Sequence, residues 1–140
     1  LMMDVVETQW WTMLLPPEWF AEEDGDDILV SDIDGVGVLE ISCIKKESGS
    51  ITEEDLQQFT GELVSSGKEQ ASVETDFFEG SYFEYLDDGE WCRDWFLING
   101  DLLVIAGYTC MEEDKRMDDA SIDELVGSIA PMLDEEPSEE

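Results

Sequence analysis

Trp91-Cys92-Arg93-Asp94-Trp95-Phe96-Leu97-Ile98-Asn99-Gly100-Asp101-Leu102-Leu103-Val104-Ile105-Ala106 is the stretch that decides the fold. Two apolar runs meet at Asn-Gly, whose residues both tolerate positive φ, and that is the strongest short-range signal for a β-hairpin. The pattern predicts strands over 90–98 and 101–110 with a tight turn at Asn99 and Gly100. In the first strand Trp91, Arg93 and Trp95 share one face, while Cys92, Phe96 and Ile98 take the other. A sheet apolar on both sides needs helices covering each.

Upstream, a turn at Asp87, Asp88 and Gly89 leads back to a strand over 81–86 and a strand-like region over 73–78, an antiparallel meander. Before it stands a helix signal. Thr52 can accept from the amide of Asp55, Glu53 and Glu54 favour the helix dipole, and Leu56, Phe59, Leu63 and Val64 form an apolar stripe that ends at Gly67. A strand over 36–44 puts Leu39, Ile41 and Cys43 on one face and Glu40 and Ser42 on the other, after a short strand over 28–31 and a turn over 32–35. The run 9–15 reads as a strand stopped by Pro16 and Pro17, because proline supplies no amide donor and restricts its predecessor. Trp19 and Phe20 are expected to anchor the next turn in the core, and the acidic segment 22–27 to be a solvated loop. Near the end, Ser121 with Glu124 reads as a second capping box. Ile122, Leu125, Val126, Ile129 and Leu133 then form the buried face of a closing helix kinked at Pro131.

Grouped strands with two amphipathic helices give the α+β class: an antiparallel sheet of about six strands flanked by two main helices. A single domain over 1–133 is expected, followed by a disordered acidic tail over 134–140. The 140 residues are 42% hydrophobic and 10% aromatic, enough apolar material for one core. Against 38 Asp and Glu stand six Lys and Arg and no His, a formal net charge of −32. That sign repels phosphates and anionic lipids, which sets aside direct binding to nucleic acid or membranes. Lacking His, the chain lacks the commonest general base and the commonest transition-metal ligand.

No stretch approaches the ~18 apolar residues of a membrane span, and a cytoplasmic location is expected, although Leu1 in place of Met leaves room for a leader removed before it. Cys43, Cys92 and Cys110 are odd in number and lack C-x-x-C spacing, as expected of buried, reduced thiols. Aligning Gly35 or Gly25 with the sixth position of an EF-hand places Val30 or Phe20 at the first ligand, so neither loop qualifies. No phosphate loop or nucleophile elbow occurs. No enzyme activity, cofactor or metal site is expected.

Several local features resemble the PsbP-like family. They are Leu14-Leu15-Pro16-Pro17-Glu18-Trp19, the mid-chain helix, the hairpin from Trp95 through Val104, and Leu125-Val126-Gly127-Ser128-Ile129 in the last helix. The family includes the extrinsic photosystem protein PsbP, bacterial DcrB-type proteins, a Ran-binding nuclear import factor and the Eag chaperones of type VI secretion. The resemblance implies a PsbP-like sandwich serving as a non-enzymatic scaffold for binding other proteins.

The charge then needs a purpose. Spread over roughly 7,300 Å² of folded surface, it is about half as dense as that of a DNA duplex, and would match a duplex locally if the acidic loops 22–34, 87–90 and 112–119 gathered on one side. The favoured reading is a non-catalytic module that neutralises or escorts a basic protein, a toxin or effector domain, as an immunity protein or secretion chaperone does. Its candidate partner-binding residues are Glu22, Glu23, Asp24, Asp26, Asp27, Asp87, Asp88 and Glu90, with Trp91 and Arg93 as a groove for a partner segment. For Trp91 and Arg93 core packing is the favoured account and the groove its rival, and the exposure of Trp91 separates the two. The alternatives for the whole chain are adaptation to salt and mimicry of DNA to inhibit a nucleic-acid-binding protein.

Overall fold

The expected hairpin lies at the centre of a seven-stranded antiparallel sheet in a computed structural model that describes residues 3–132. Leu133 and the acidic tail lie outside the described residues. The elements are β1 (Asp4–Glu7), β2 (Trp11–Leu15), β3 (Trp19–Asp24), β4 (Asp27–Asp32), β5 (Gly37–Lys45), α1 (Glu53–Ser65), β6 (Ala71–Glu74), β7 (Glu79–Asp87), β8 (Glu90–Asn99), β9 (Leu102–Met111), a 3₁₀ turn (Glu112–Asp114), α2 (Asp119–Gly127) and β10 (Ala130–Pro131). The large sheet runs β3-β4-β5-β9-β8-β7-β6, and a three-stranded sheet runs β1-β2-β10. The class is α+β as expected, with more strands than the six anticipated.

Sequence chemistry accounts for the turns. Asp88 (φ 54) and Gly89 (φ 85) both take positive φ between β7 and β8, the type I′ arrangement that suits the twist of paired strands. In the β8–β9 hairpin Asn99 pairs with Leu102, so the loop is Gly100 and Asp101, one residue beyond the expected position. Gly100 alone carries positive φ there, as a glycine-first loop requires.

Large-sheet residues alternate between two apolar layers. One layer combines Val30, Leu39, Ile41, Trp91, Trp95, Leu97, Val104 and Ala106 with Trp11 and Met13 of the small sheet and Ile122, Leu125, Val126 and Ile129 of the α2 region. The other is smaller: Leu56 of α1 packs on Phe83, Phe96 and Leu103. The expected cover on both faces is present, but α1 reaches only the β7-β8-β9 side of its face.

Several expectations are corrected. The segment expected to be a loop, 22–27, forms β3, a two-residue turn and the start of β4, with Asp24 opposite Asp27. Carboxylates on an outermost strand keep their water, so strand pairing costs them little desolvation. Phe20, expected in the core, is 56% exposed because it points to the face that α1 leaves uncovered. In α1 the Thr52–Asp55 capping box forms, but the buried side chains are Leu56 and Thr60, whereas Phe59 and Val64 face outward. Gly67 (φ 88) ends the helix as expected, its amide donating to Val64 O and the Lys68 amide to Leu63 O. Ser121 lies inside α2, which starts at Asp119 and has no side-chain cap. Pro131 lies in β10 opposite Trp11 and kinks no helix. The region 73–78 is broken by a turn between β6 and β7.

Candidate functional site

The expected partner residues do not come together. Strand register puts the Gly25–Asp26 turn at the end of the sheet that holds Lys45 and Leu102, while Asp87, Asp88 and Glu90 lie at the opposite end, beside Met111. Asp32, Asp34, Asp114 and Asp118 gather near that second end. Burial and the charges of Asp32, Asp34 and Asp114 raise the Asp118 carboxyl above its usual range, although a Tyr108 hydrogen bond opposes this. At the first end Glu40 is raised by a shared hydrogen bond with Asp27, then by burial and by the charges of Asp27 and Asp24. Glu22, Asp24 and Asp27 thus flank Glu40 on the uncovered part of the sheet. Glu23 turns to the other face, into a cleft of about 400 Å³ shared with Asp4, Glu7 and Glu22.

Trp91 and Arg93 are not a groove. Trp91 is 4% exposed and Arg93 6%, so the core account holds and the partner account of these two is corrected. Arg93 fastens β8 to α2: its Nε donates to Tyr82 Oη (2.6 Å), Nη1 to Asp119 (3.2 Å) and Nη2 to Asp123 (2.5 Å). Its guanidinium stacks 4.6 Å from the Trp95 ring. Lys115 and Arg116 approach the Trp91 ring, and Arg116 also pairs with Glu84 and Asp119.

Three further clefts surround β6, the outermost strand beyond β7. On its α1 side is a cleft of about 680 Å³ with Glu53, Glu74 and Glu79 as carboxylates and Ile51, Leu56 and Ile98 as apolar walls. On its α2 side a cleft of about 330 Å³ is bounded by Val73, Trp95 and Val126 together with Glu74, Asp76 and Asp123. A third, of about 340 Å³, opens beside the β6–β7 turn. Sequence reasoning missed this site because Ala71-Ser72-Val73-Glu74 is an ordinary short run, and only the sheet order makes it an edge. The one signal it carried was the uncharged triplet Ala71-Ser72-Val73 in so acidic a chain.

What the site can do chemically is hold, by shape, backbone and charge. The three thiols are poor nucleophiles: burial chiefly raises Cys43, Cys92 and Cys110, and nearby carboxylates add to it. Among the described residues no group of three or more Cys, Asp or Glu is placed to hold a metal ion. No described helix is long and apolar enough to cross a membrane.

No protein-family model matches the sequence, and no curated protein does. Solved structures share the architecture, two of them as follows. One is the crystal structure of a protein from Bacteroides thetaiotaomicron VPI-5482, with TM-score 0.70 and 19% identity, covering 91% of this chain and 47% of that one. The chain thus spans about half the length of that protein. The other is the solution structure of cyanobacterial PsbP (CyanoP) from Synechocystis sp. PCC 6803, with TM-score 0.60 and 13% identity over 93% of this chain and 92% of that one. The fold is PsbP-like. At such identities the likeness speaks for fold alone. Within the PsbP-like fold, β6 is the outer edge of the meander that supplies most of the sheet.

Proposed function

We propose that this PsbP-like chain is a non-catalytic acidic module that binds a basic protein partner, in the manner of an immunity protein or of the DcrB- and Eag-type secretion scaffolds. One observation carries the reading: all six cations are engaged within the chain. Lys45 pairs with Asp101 and Lys46 with Asp55, Lys68 lies over Tyr85, Lys115 lies over Trp91, and Arg93 and Arg116 hold Asp119, Asp123 and Glu84. Among the described residues, Glu53, Glu74 and Glu79 of the α1-side cleft and the acids of the β3–β4 hairpin pair with none of these cations. A cationic surface approaching them gains steering and loses no competing internal pair.

Adaptation to salt is the second reading, favoured by exposed acids that also occur away from the clefts, such as Glu54 and Glu62 of α1. Affinity capture from the native cell at low and high salt separates the two. The first reading expects one basic protein to be retained at low salt, with retention weakened by reversing Glu74 and Glu79. Capture of no basic protein, together with steep loss of stability at low ionic strength, would leave the salt reading standing.

A further inference from the structure

We propose that the partner docks as an extended strand added to the free edge of β6, with basic side chains on the α1 side and apolar ones on the α2 side; this rests on the reading above that the partner is basic. The backbone supplies the first reason. The Thr75 amide donates to Phe78 O at 2.8 Å, closing the β6–β7 turn, and antiparallel alternation then makes Val73–Gly80 and Ala71–Tyr82 the hydrogen-bonded pairs. The N–H and C=O groups of Ser72 and Glu74 therefore point away from β7, and no described strand meets them. Strand addition is the usual way such groups are satisfied by a partner.

The second reason is the contrast between the sheet's two edges. β3 carries three acids in six residues, Glu22, Glu23 and Asp24, whereas β6 carries only Glu74 in its four, with no proline and no bulge in register. The third is the shape beside the strand. A chain added about 4.8 Å from β6 sends alternate side chains to opposite faces. On the α1 side they enter the cleft of about 680 Å³, where an Arg or Lys stem lies along Leu56 and Ile98 and its charge meets Glu53, Glu74 and Glu79. On the α2 side they enter the cleft of Val73, Trp95 and Val126, whose apolar walls suit a medium apolar residue, although Glu74, Asp76 and the Arg93-paired Asp123 also line it. A second copy of the chain is the wrong occupant, since it would bring Glu69, Glu74, Asp76 and Glu79 of both chains together.

The test uses the full chain and three synthetic octapeptides at low salt: alternating Arg/Lys with Val, the same sequence N-methylated on alternate amides, and the same composition in blocks. Binding is read by fluorescence anisotropy of labelled peptide. The expected result is at least tenfold tighter binding of the alternating peptide than of the other two. Ser72→Pro, which removes an outward amide while sparing the β6–β7 ladder, should abolish that preference, and Ser72→Ala should not. Protection of the Ser72 and Glu74 amides from exchange on peptide addition gives a readout that does not depend on the proline variant folding. Equal binding of all three peptides, unaffected by Ser72→Pro, would overturn strand addition and leave the basic-partner reading intact. Absence of binding by any of them would remove both. A dimer at low salt that Ser72→Pro dissolves would overturn the choice of occupant.

Discussion

Replacing Arg93 tests whether the cation belongs to the fold or to a partner. Its side chain is 7% exposed and makes three hydrogen bonds, to Tyr82, Asp119 and Asp123, besides stacking on Trp95. Two effects oppose one another in Arg93→Met. Removing a buried guanidinium returns its desolvation cost, and methionine keeps most of the apolar contact. Against this, charge-assisted hydrogen bonds contribute roughly 1.5–3 kcal/mol each when their partners are left dry. Here they are not: Asp119 and Asp123 are 27% and 59% exposed, Asp119 keeps Arg116, and the Tyr82 hydroxyl still donates to Glu84. Water therefore absorbs most of the loss, and Arg93→Met should cost about 2 kcal/mol, well below the roughly 3–5 kcal/mol of stranding a buried charge. Arg93→Ala adds a cavity between Tyr82, Trp95 and α2 and should cost about 4 kcal/mol. Asp123→Asn should cost under about 0.5 kcal/mol, as expected of one exposed partner. Urea unfolding followed by tryptophan fluorescence gives the three values. An Arg93→Met chain as stable as the parent that has nevertheless lost its partner would refute this reasoning and return Arg93 to the interface.

Gly80→Ala should cost upwards of about 3 kcal/mol, because an added Cβ would stand 1.8 Å from the Phe96 carbonyl oxygen; thermal unfolding checks it. Thr52→Ala removes the acceptor of the Asp55 amide and should lower stability by about 1 kcal/mol, measured by urea unfolding. Stability should peak at mildly acidic pH, not at neutrality. Glu40 and Asp118 have folded pKa values above their ordinary 4.5 and 3.8, so the folded chain holds more protons there and stability is lost as pH rises through those raised values. Asp55 works the other way: the Lys46 ammonium and the Thr52 amide hold it at about 2, so its contribution disappears as pH falls from 3.8 through that value. A melting temperature that climbs steadily from pH 5 to 8 would contradict this. At about 1 M salt, where the Debye length is near 3 Å, the unguarded β6 edge should self-associate in sedimentation and Ser72→Pro should prevent it.

The features legible in the amino-acid sequence are those that local chemistry decides. Gly100 and Asp88-Gly89 announce hairpins because few residues tolerate their positive φ, and Thr52-Glu53-Glu54-Asp55 announces a helix because the cap is satisfied within one turn. β3 escaped notice for the opposite reason. Glu22-Glu23-Asp24 has loop composition, and only its pairing with Leu29, Ile28 and Asp27 makes it a strand. Phe59 and Val64 of α1 belong to the apolar stripe by period, yet stay exposed because the helix covers less of the sheet than the stripe would allow. Both faces of the Trp91–Ile98 strand are covered much as its alternation suggested. The free edge was illegible in principle: whether β6 is central or outermost depends on the order of seven strands.

A sheet with one guarded and one open edge also explains why the charge can be spread out and still confer specificity. On the proposed reading, recognition at β6 would need only Glu74 of the strand itself with Glu53 and Glu79 beside it, all three lining the α1-side cleft. The many remaining carboxylates act at longer range, over the ~8–10 Å of the Debye length at physiological salt, where they repel any second copy that brings the same charge. A sparsely charged edge is ordinarily an invitation to self-pairing. In a body of net charge −32 that invitation is closed to like chains and open to cationic ones. The scattered acids thus exclude the wrong occupant, while the three beside β6 favour the right one, and specificity is the difference between those two energies.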